Sequence, residues 1–140
     1  MGLGDAISSA VKWDAPSVAM QDTLRVAITK IANSGASALV VKSGDTVVGL
    51  VTDIDLMGSV AKGDDLDGMA VSTFMSACEI ISDKAIKTPC VQLDETQSVE
   101  NAIGVMDLAG THHLLVTGGN EVGVVSAHDL LRLVVDETRI

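Results

Sequence analysis

Two seven-residue stretches carry the side chains best suited to holding a ligand: Gly49-Leu50-Val51-Thr52-Asp53-Ile54-Asp55 and Gly123-Val124-Val125-Ser126-Ala127-His128-Asp129. Both read glycine, two apolar residues, Ser or Thr, and an Asp three positions later. A carboxylate accepts hydrogen bonds from two neighbouring hydroxyls, as on a ribose, while a hydroxyl side chain beside the free N–H groups of a helix start suits a phosphate. The same spacing makes a capping box, in which Thr52 or Ser126 caps a helix and the acid three residues on reaches back to a free N–H. A single occurrence reads as a cap. Two occurrences at matching places favour a pair of binding sites.

The places match because the chain is a duplication. Residues 23–41 align with 98–116 at an offset of 75, and 48–60 align with 122–134 at an offset of 74. Eleven of these 32 pairs are identical, among them Gly35/Gly110, Gly49/Gly123 and Asp55/Asp129. A chance match of apolar residues would not also align both glycine pairs and the aspartate pair.

Each copy must then supply the elements that position its motif. A short extended piece, 16–19 or 90–93, precedes a helix that Thr23 or Ser98 opens as N-cap. Leu24, Ala27, Ile28 and Ile31 recur at helical spacing, as do Val99, Ala102, Ile103 and Met106, so one face of each helix is buried. Gly35 and Gly110 end these helices, and two apolar strands joined by a glycine-containing turn follow, a hairpin in each copy. A closing helix begins at Thr52 or Ser126. The expected fold is α/β (α+β), two β-α-β-β-α units stacked sheet to sheet with pseudo-two-fold symmetry, because one unit alone leaves an apolar sheet face uncovered and 140 residues suffice for one shared core. The first unit spans 3–62 and the second 71–138, with an acidic linker at 63–70. Gly4-Asp5-Ala6-Ile7-Ser8 is matched to Ser72-Thr73-Phe74-Met75-Ser76 as the lead-in of each.

The doubled G-h-h-[ST]-x-x-D pattern (h apolar), the element order and the lead-in at 71–76 resemble the CBS-domain family over about residues 3–135. The resemblance implies a disc-like module of two repeats with two clefts, a regulatory sensor and not an enzyme. It further implies an adenosine-containing ligand, AMP, ADP, ATP or S-adenosylmethionine, with Asp55 and Asp129 on ribose and Thr52 and Ser126 on ribose or phosphate. His112 and His113 stand where relatives place basic phosphate contacts, and His128 just before the motif Asp. The first copy has Ser37, Ala38 and Ile54 in their places, so its cleft is poor in positive charge and the two sites are expected to be unequal.

Composition narrows the partners. Nineteen acidic against nine basic residues give a formal charge of −10, which repels a nucleic-acid backbone, and Trp13 and Phe74 are too few aromatics to stack bases. No run reaches the roughly 18 apolar residues of a membrane span, and 1–5 lack the basic start of a signal peptide, so we expect a cytoplasmic protein. Cys78 and Cys90 form no CxxC pair and read as core thiols. Adjacent strand residues face opposite ways, so His112 and His113 do not share a metal ion, and their plainer reading is a solvated strand end. With Gly68 at the sixth position of a calcium loop, the run Asp64-Asp65-Leu66-Asp67 leaves Gly63 at the first ligand position and Phe74 at the twelfth, where Glu is needed, so no calcium site is read there. No nucleophile lies in a catalytic context. With little chain left for an output domain, the signal is expected to pass to a separate, unidentified effector protein or through a homodimer; the alternative is a structural dimerisation module with vestigial sites.

Overall fold

A computed structural model describes residues 3–73, 75–77 and 92–138, and leaves Phe74, Cys78 and Cys90 outside the described part. The chain divides into two compact units, one made of 15–90 and the other of 1–14 together with 91–140. Where one shared core is expected from the repeat, the described residues hold two buried clusters, one in each unit.

In the first unit, β1 (Ser17–Ala19) leads to α1 (Leu24–Ser34), then to the hairpin β2 (Ala38–Ser43) and β3 (Thr46–Thr52), and to α2 (Asp53–Ala61). A short strand, β4 (Ser76–Ala77), adds to the edge of β3 and completes the order β1-β2-β3-β4. The second unit repeats the plan with β5 (Gln92–Asp94), α3 (Val99–Ala109), β6 (His113–Gly118), β7 (Glu121–Ser126) and α4 (Ala127–Thr138), its sheet ordered β5-β6-β7. In each unit the first strand runs parallel to the second, Val18 beside Val41 and Leu93 beside Val116, and the helix makes the crossover that parallel pairing requires.

The caps are those the residue types favour. Thr23 Oγ1 accepts from Val26 N–H at 3.3 Å and Ser98 Oγ from Asn101 N–H at 3.0 Å. Gly35 and Gly110 close the same helices at φ 72° and 68°, the left-handed region where a Cβ is costly. Leu24 and Ala27 of α1 are buried with Leu39, Val41, Val51 and Leu56, and Val99, Ala102 and Met106 of α3 with Leu114, Val116, Val125 and Leu130.

Two features depart from a plain duplication. In the first hairpin Val41 pairs with Gly49 but Lys42 with Val47, so Val48 is an extra, bulged residue; the second hairpin pairs Val116 with Gly123 and Thr117 with Val122 without a break. That one residue is the slip from an offset of 75 to 74.

The lead-ins also cross over. Ile7, near the N-terminus, is fully buried among α3 and the β6–β7 side chains, while Val71 is fully buried among α1 and the β2–β3 side chains. Each enters in the same way: Ile7 N–H donates to Gln97 O at 2.9 Å and Val71 N–H to Asp22 O at 2.8 Å. The structure therefore corrects the lead-in match, pairing Ile7 with Val71 and not with Met75. The segment 63–70 is more than a spacer: Leu66 O and Met69 O accept from the otherwise unpaired N–H groups of Arg25 and Leu24 at the start of α1, and the Arg25 guanidinium grips the Asp67 carboxylate at 2.7 and 3.1 Å.

Candidate ligand site

Both motifs lie where a strand turns into a helix, β3 into α2 and β7 into α4. At the first, Thr52 is the N-cap of α2; its Oγ1 accepts from Asp55 N–H at 3.2 Å and Asp55 Oδ2 accepts from Thr52 N–H at 3.0 Å. At the second, Ser126 Oγ accepts from Asp129 N–H at 3.1 Å and donates to Asp129 Oδ2 at 2.9 Å, and Ser126 N–H lies 3.3 Å from the same oxygen. The capping box expected from the spacing is thus formed twice. It does not compete with binding, because in each the bonds converge on Oδ2. The cap fixes the carboxylate and leaves Oδ1 to point elsewhere, which is the preorganisation a ligand contact needs.

The backbone carries the motif into place. Asp53 N–H donates to Ser37 O at 2.9 Å and Ala127 N–H to His112 O at 2.8 Å, so the residue before each second strand is tied to the start of each closing helix. Thr52 pairs with Ala38 and Ser126 with His113 across the hairpins.

The three histidines are not equivalent. His113, cross-strand neighbour of Ser126, is only 9% exposed. It is a wall residue of the unit, not part of a solvated strand end. His112 is exposed, in keeping with the opposite facing of successive extended residues. His128 is exposed on α4, with Nε2 3.4 Å from Arg132 Nη2, one turn along. Ser126, Asp129 and His113 therefore gather at one corner of the second unit, while His112 and His128 lie on its exposed surface. Among the described residues no three His, Cys, Asp or Glu side chains gather closely enough to hold a metal ion, and no helix is long and apolar enough to cross a membrane.

One charged residue at this corner carries no mark in the sequence motifs. Lys12 Nζ stands 4.0 Å from Asp129 Oδ1, with the Asp129 side chain 17% and the Lys12 side chain 66% exposed. Lys12 reaches the corner through backbone: its N–H donates to Val124 O at 2.8 Å and its carbonyl accepts from Val124 N–H at 3.1 Å. In the first unit the pairing partner of Leu50, the counterpart of Val124, is Ser76. Aligning the lead-ins through Ile7 and Val71 would have placed Lys12 opposite Ser76 and exposed the difference. No cationic side chain among the described residues pairs with Asp55.

The family profile of the CBS domain matches the chain twice, over residues 7–62 and 80–136. A solved structure of a protein from Burkholderia ambifaria, described as a signal-transduction protein with CBS domains, is 25% identical with a TM-score of 0.74, the match covering 90% of this chain and 86% of that one. A conserved protein from Pyrococcus horikoshii is 17% identical with a TM-score of 0.78, over 100% of this chain and 98% of that one. A hexameric CBS-CP12 protein from bloom-forming cyanobacteria is 21% identical with a TM-score of 0.74, over 90% of this chain and 66% of that one. No curated protein sequence matches the chain significantly.

Proposed function

Given that this chain belongs to the CBS-domain family, whose members are generally regulatory, we propose that it senses an adenosine-containing small molecule, AMP, ADP, ATP or S-adenosylmethionine, and does no chemistry of its own. The observation that carries this reading is the repeated arrangement of one carboxylate oxygen locked in a helix cap and the other left over, at Asp55 and at Asp129. A fixed acceptor of that kind suits the vicinal hydroxyls of a ribose, with Thr52 and Ser126 beside it. His113 opposite Ser126 and the Lys12 ammonium beside Asp129 make that site the stronger of the two. His112 and His128 lie on the surface flanking it.

The output passes to an effector protein or through self-association. Ile54, Met57 and Val60 recur every third residue on α2 and are exposed, as are Leu131 and Val135 one turn apart on α4. Apolar residues so placed suit a homodimer, and the hexameric cyanobacterial protein shows that such a fold can assemble. These helix faces also support a second reading, a dimerisation module whose ligand corners serve only as caps.

Calorimetry with AMP, ATP and S-adenosylmethionine separates the two. A sensor binds at least one of them, and Asp129→Ala, by removing charge-assisted bonds of about 1.5–3 kcal/mol each, weakens it by tenfold or more. Absence of binding by all three leaves the dimerisation reading, and binding with unchanged affinity in the variant overturns the assignment of Asp129 to the ribose.

A further inference from the structure

The cation beside the second carboxylate is positioned by the fold. Val11 is buried in the second unit's cluster, Lys12 is held by two backbone bonds to Val124, and the Trp13 ring lies against the β6–β7 hairpin. Two glycines make room for it: a Cβ on Gly123 would come within 2.9 Å of both the Lys12 carbonyl oxygen and Trp13 Cε3, and one on Gly118 within 2.6 Å of Trp13 Cη2. Fixed on both sides, the Lys12 backbone delivers a flexible stem whose ammonium stands 4.0 Å from Asp129 Oδ1.

Charge is scarce here. The described residues of this unit contain two Lys or Arg side chains, Lys12 and Arg132, and Arg132 lies beside His128 on exposed α4. In a chain of net charge −10, an anion bound next to Asp129 would meet an unfavourable field unless a cation offset both it and the carboxylate. Among the described residues Lys12 is the one cation paired with that carboxylate. At 4.0 Å, with the Lys12 side chain 66% exposed, the pair adds little to stability, so its position matters more for what enters the corner than for holding the fold.

We propose that Lys12 is the phosphate contact of the Asp129 site, so that this site selects a nucleoside 5′-phosphate over the free nucleoside or a sulfonium nucleoside. The proposal rests on the reading of Asp129 as the ribose carboxylate. When the ribose hydroxyls donate to Asp129, the Lys12 ammonium turns on its stem from Oδ1 to the phosphate oxygens while staying near the carboxylate. The first unit has Ser76 at the corresponding strand position and makes no such selection.

The test compares AMP, adenosine and S-adenosylmethionine by calorimetry on the whole chain, unchanged and with Lys12→Ala, Lys12→Gln, Lys12→Arg and Asp129→Ala. AMP should bind most tightly to the unchanged protein. Removing the charge with Ala or Gln should weaken AMP roughly tenfold and leave adenosine within about twofold, while Arg retains AMP binding. Asp129→Ala should weaken AMP and adenosine alike. If Ala and Gln leave the AMP-to-adenosine ratio unchanged while Asp129→Ala still weakens both, the role of Lys12 is overturned and the ribose assignment stands. If Asp129→Ala alters neither, the ribose assignment falls and takes the role of Lys12 with it. Melting curves of Lys12→Gln, which keeps most of the stem, separate loss of the contact from loss of the fold.

Discussion

Ser126 gives both its donors to one oxygen of Asp129: the hydroxyl donates at 2.9 Å and the backbone N–H at 3.3 Å. Thr52 makes only the backbone bond to Asp55 Oδ2, at 3.0 Å, and the two helices are otherwise capped alike. Replacing Ser126 by Ala should therefore lower stability by about 1 kcal/mol or somewhat more, as loss of an N-cap does, and Thr52→Ala by about 1 kcal/mol. Chemical denaturation of both variants checks the size. A loss of binding in Ser126→Ala larger than its loss of stability would mean that the hydroxyl also touches the ligand.

Gly123 is closely enclosed, with the Lys12 backbone among the atoms around it. A methyl there would stand 2.5 Å from Val11 Cγ1 as well as close to Lys12 and Trp13. Gly123→Ala should cost about 1–3 kcal/mol, as overpacking does. It should also shift the fluorescence of Trp13, the single tryptophan of the chain. Unchanged emission and unchanged stability together would show that the lead-in does not lie against β7.

The adjacent histidines should separate cleanly. His113 is buried and His112 exposed, so His113→Ala should destabilise by about 1–3 kcal/mol while His112→Ala stays within about 0.5 kcal/mol of the unchanged protein. Thermal melts of the two variants make the comparison, and equal effects would contradict the strand register at His113 and Ser126.

Asp67 gives a prediction in acid. Its hydrogen bonds with the Arg25 guanidinium hold the carboxyl below the ordinary 3.8. A carboxyl depressed by folding adds stability above its unfolded value, and the contribution disappears as pH falls through the lowered folded value. Following the Asp67 carboxyl carbon by NMR should show a midpoint below 3.8, returning upward in Arg25→Ala. Because the pair is exposed, melting near neutral pH should change little.

Much of this arrangement was legible in the residues. Thr23, Ser98, Gly35 and Gly110 mark helix ends through local chemistry that needs no partner, and the periodicities of α1 and α3 name the buried side chains. The two motif aspartates are found because identical spacing recurs at a constant offset. What stayed hidden is non-local. Ile7 and Val71 are interchangeable apolar residues in short segments without periodicity, so nothing nearby fixes which strand or helix each covers. Lys12 is inconspicuous for the same reason: its pairing with Val124 depends on backbone bonds across more than a hundred residues. The bulge at Val48 left only a trace, the one-residue change in offset.

The crossing of the lead-ins bears on the order in which the chain can fold as it is synthesised. The unit spanning 15–90 is continuous, so its helices, hairpin and Val71 emerge together and can close at once. The other unit is built from the two ends of the sequence. Ile7, Val11 and Trp13 are made first, yet α3, β6 and β7, against which they lie, are made last. Until then the early segment is a tether without a dock, and contacts of such wide sequence separation form more slowly than the local ones of the continuous unit. The corner holding Lys12 and Asp129 is therefore the last part of the molecule to exist, and a chain halted after the first unit would be folded in part but lack it altogether.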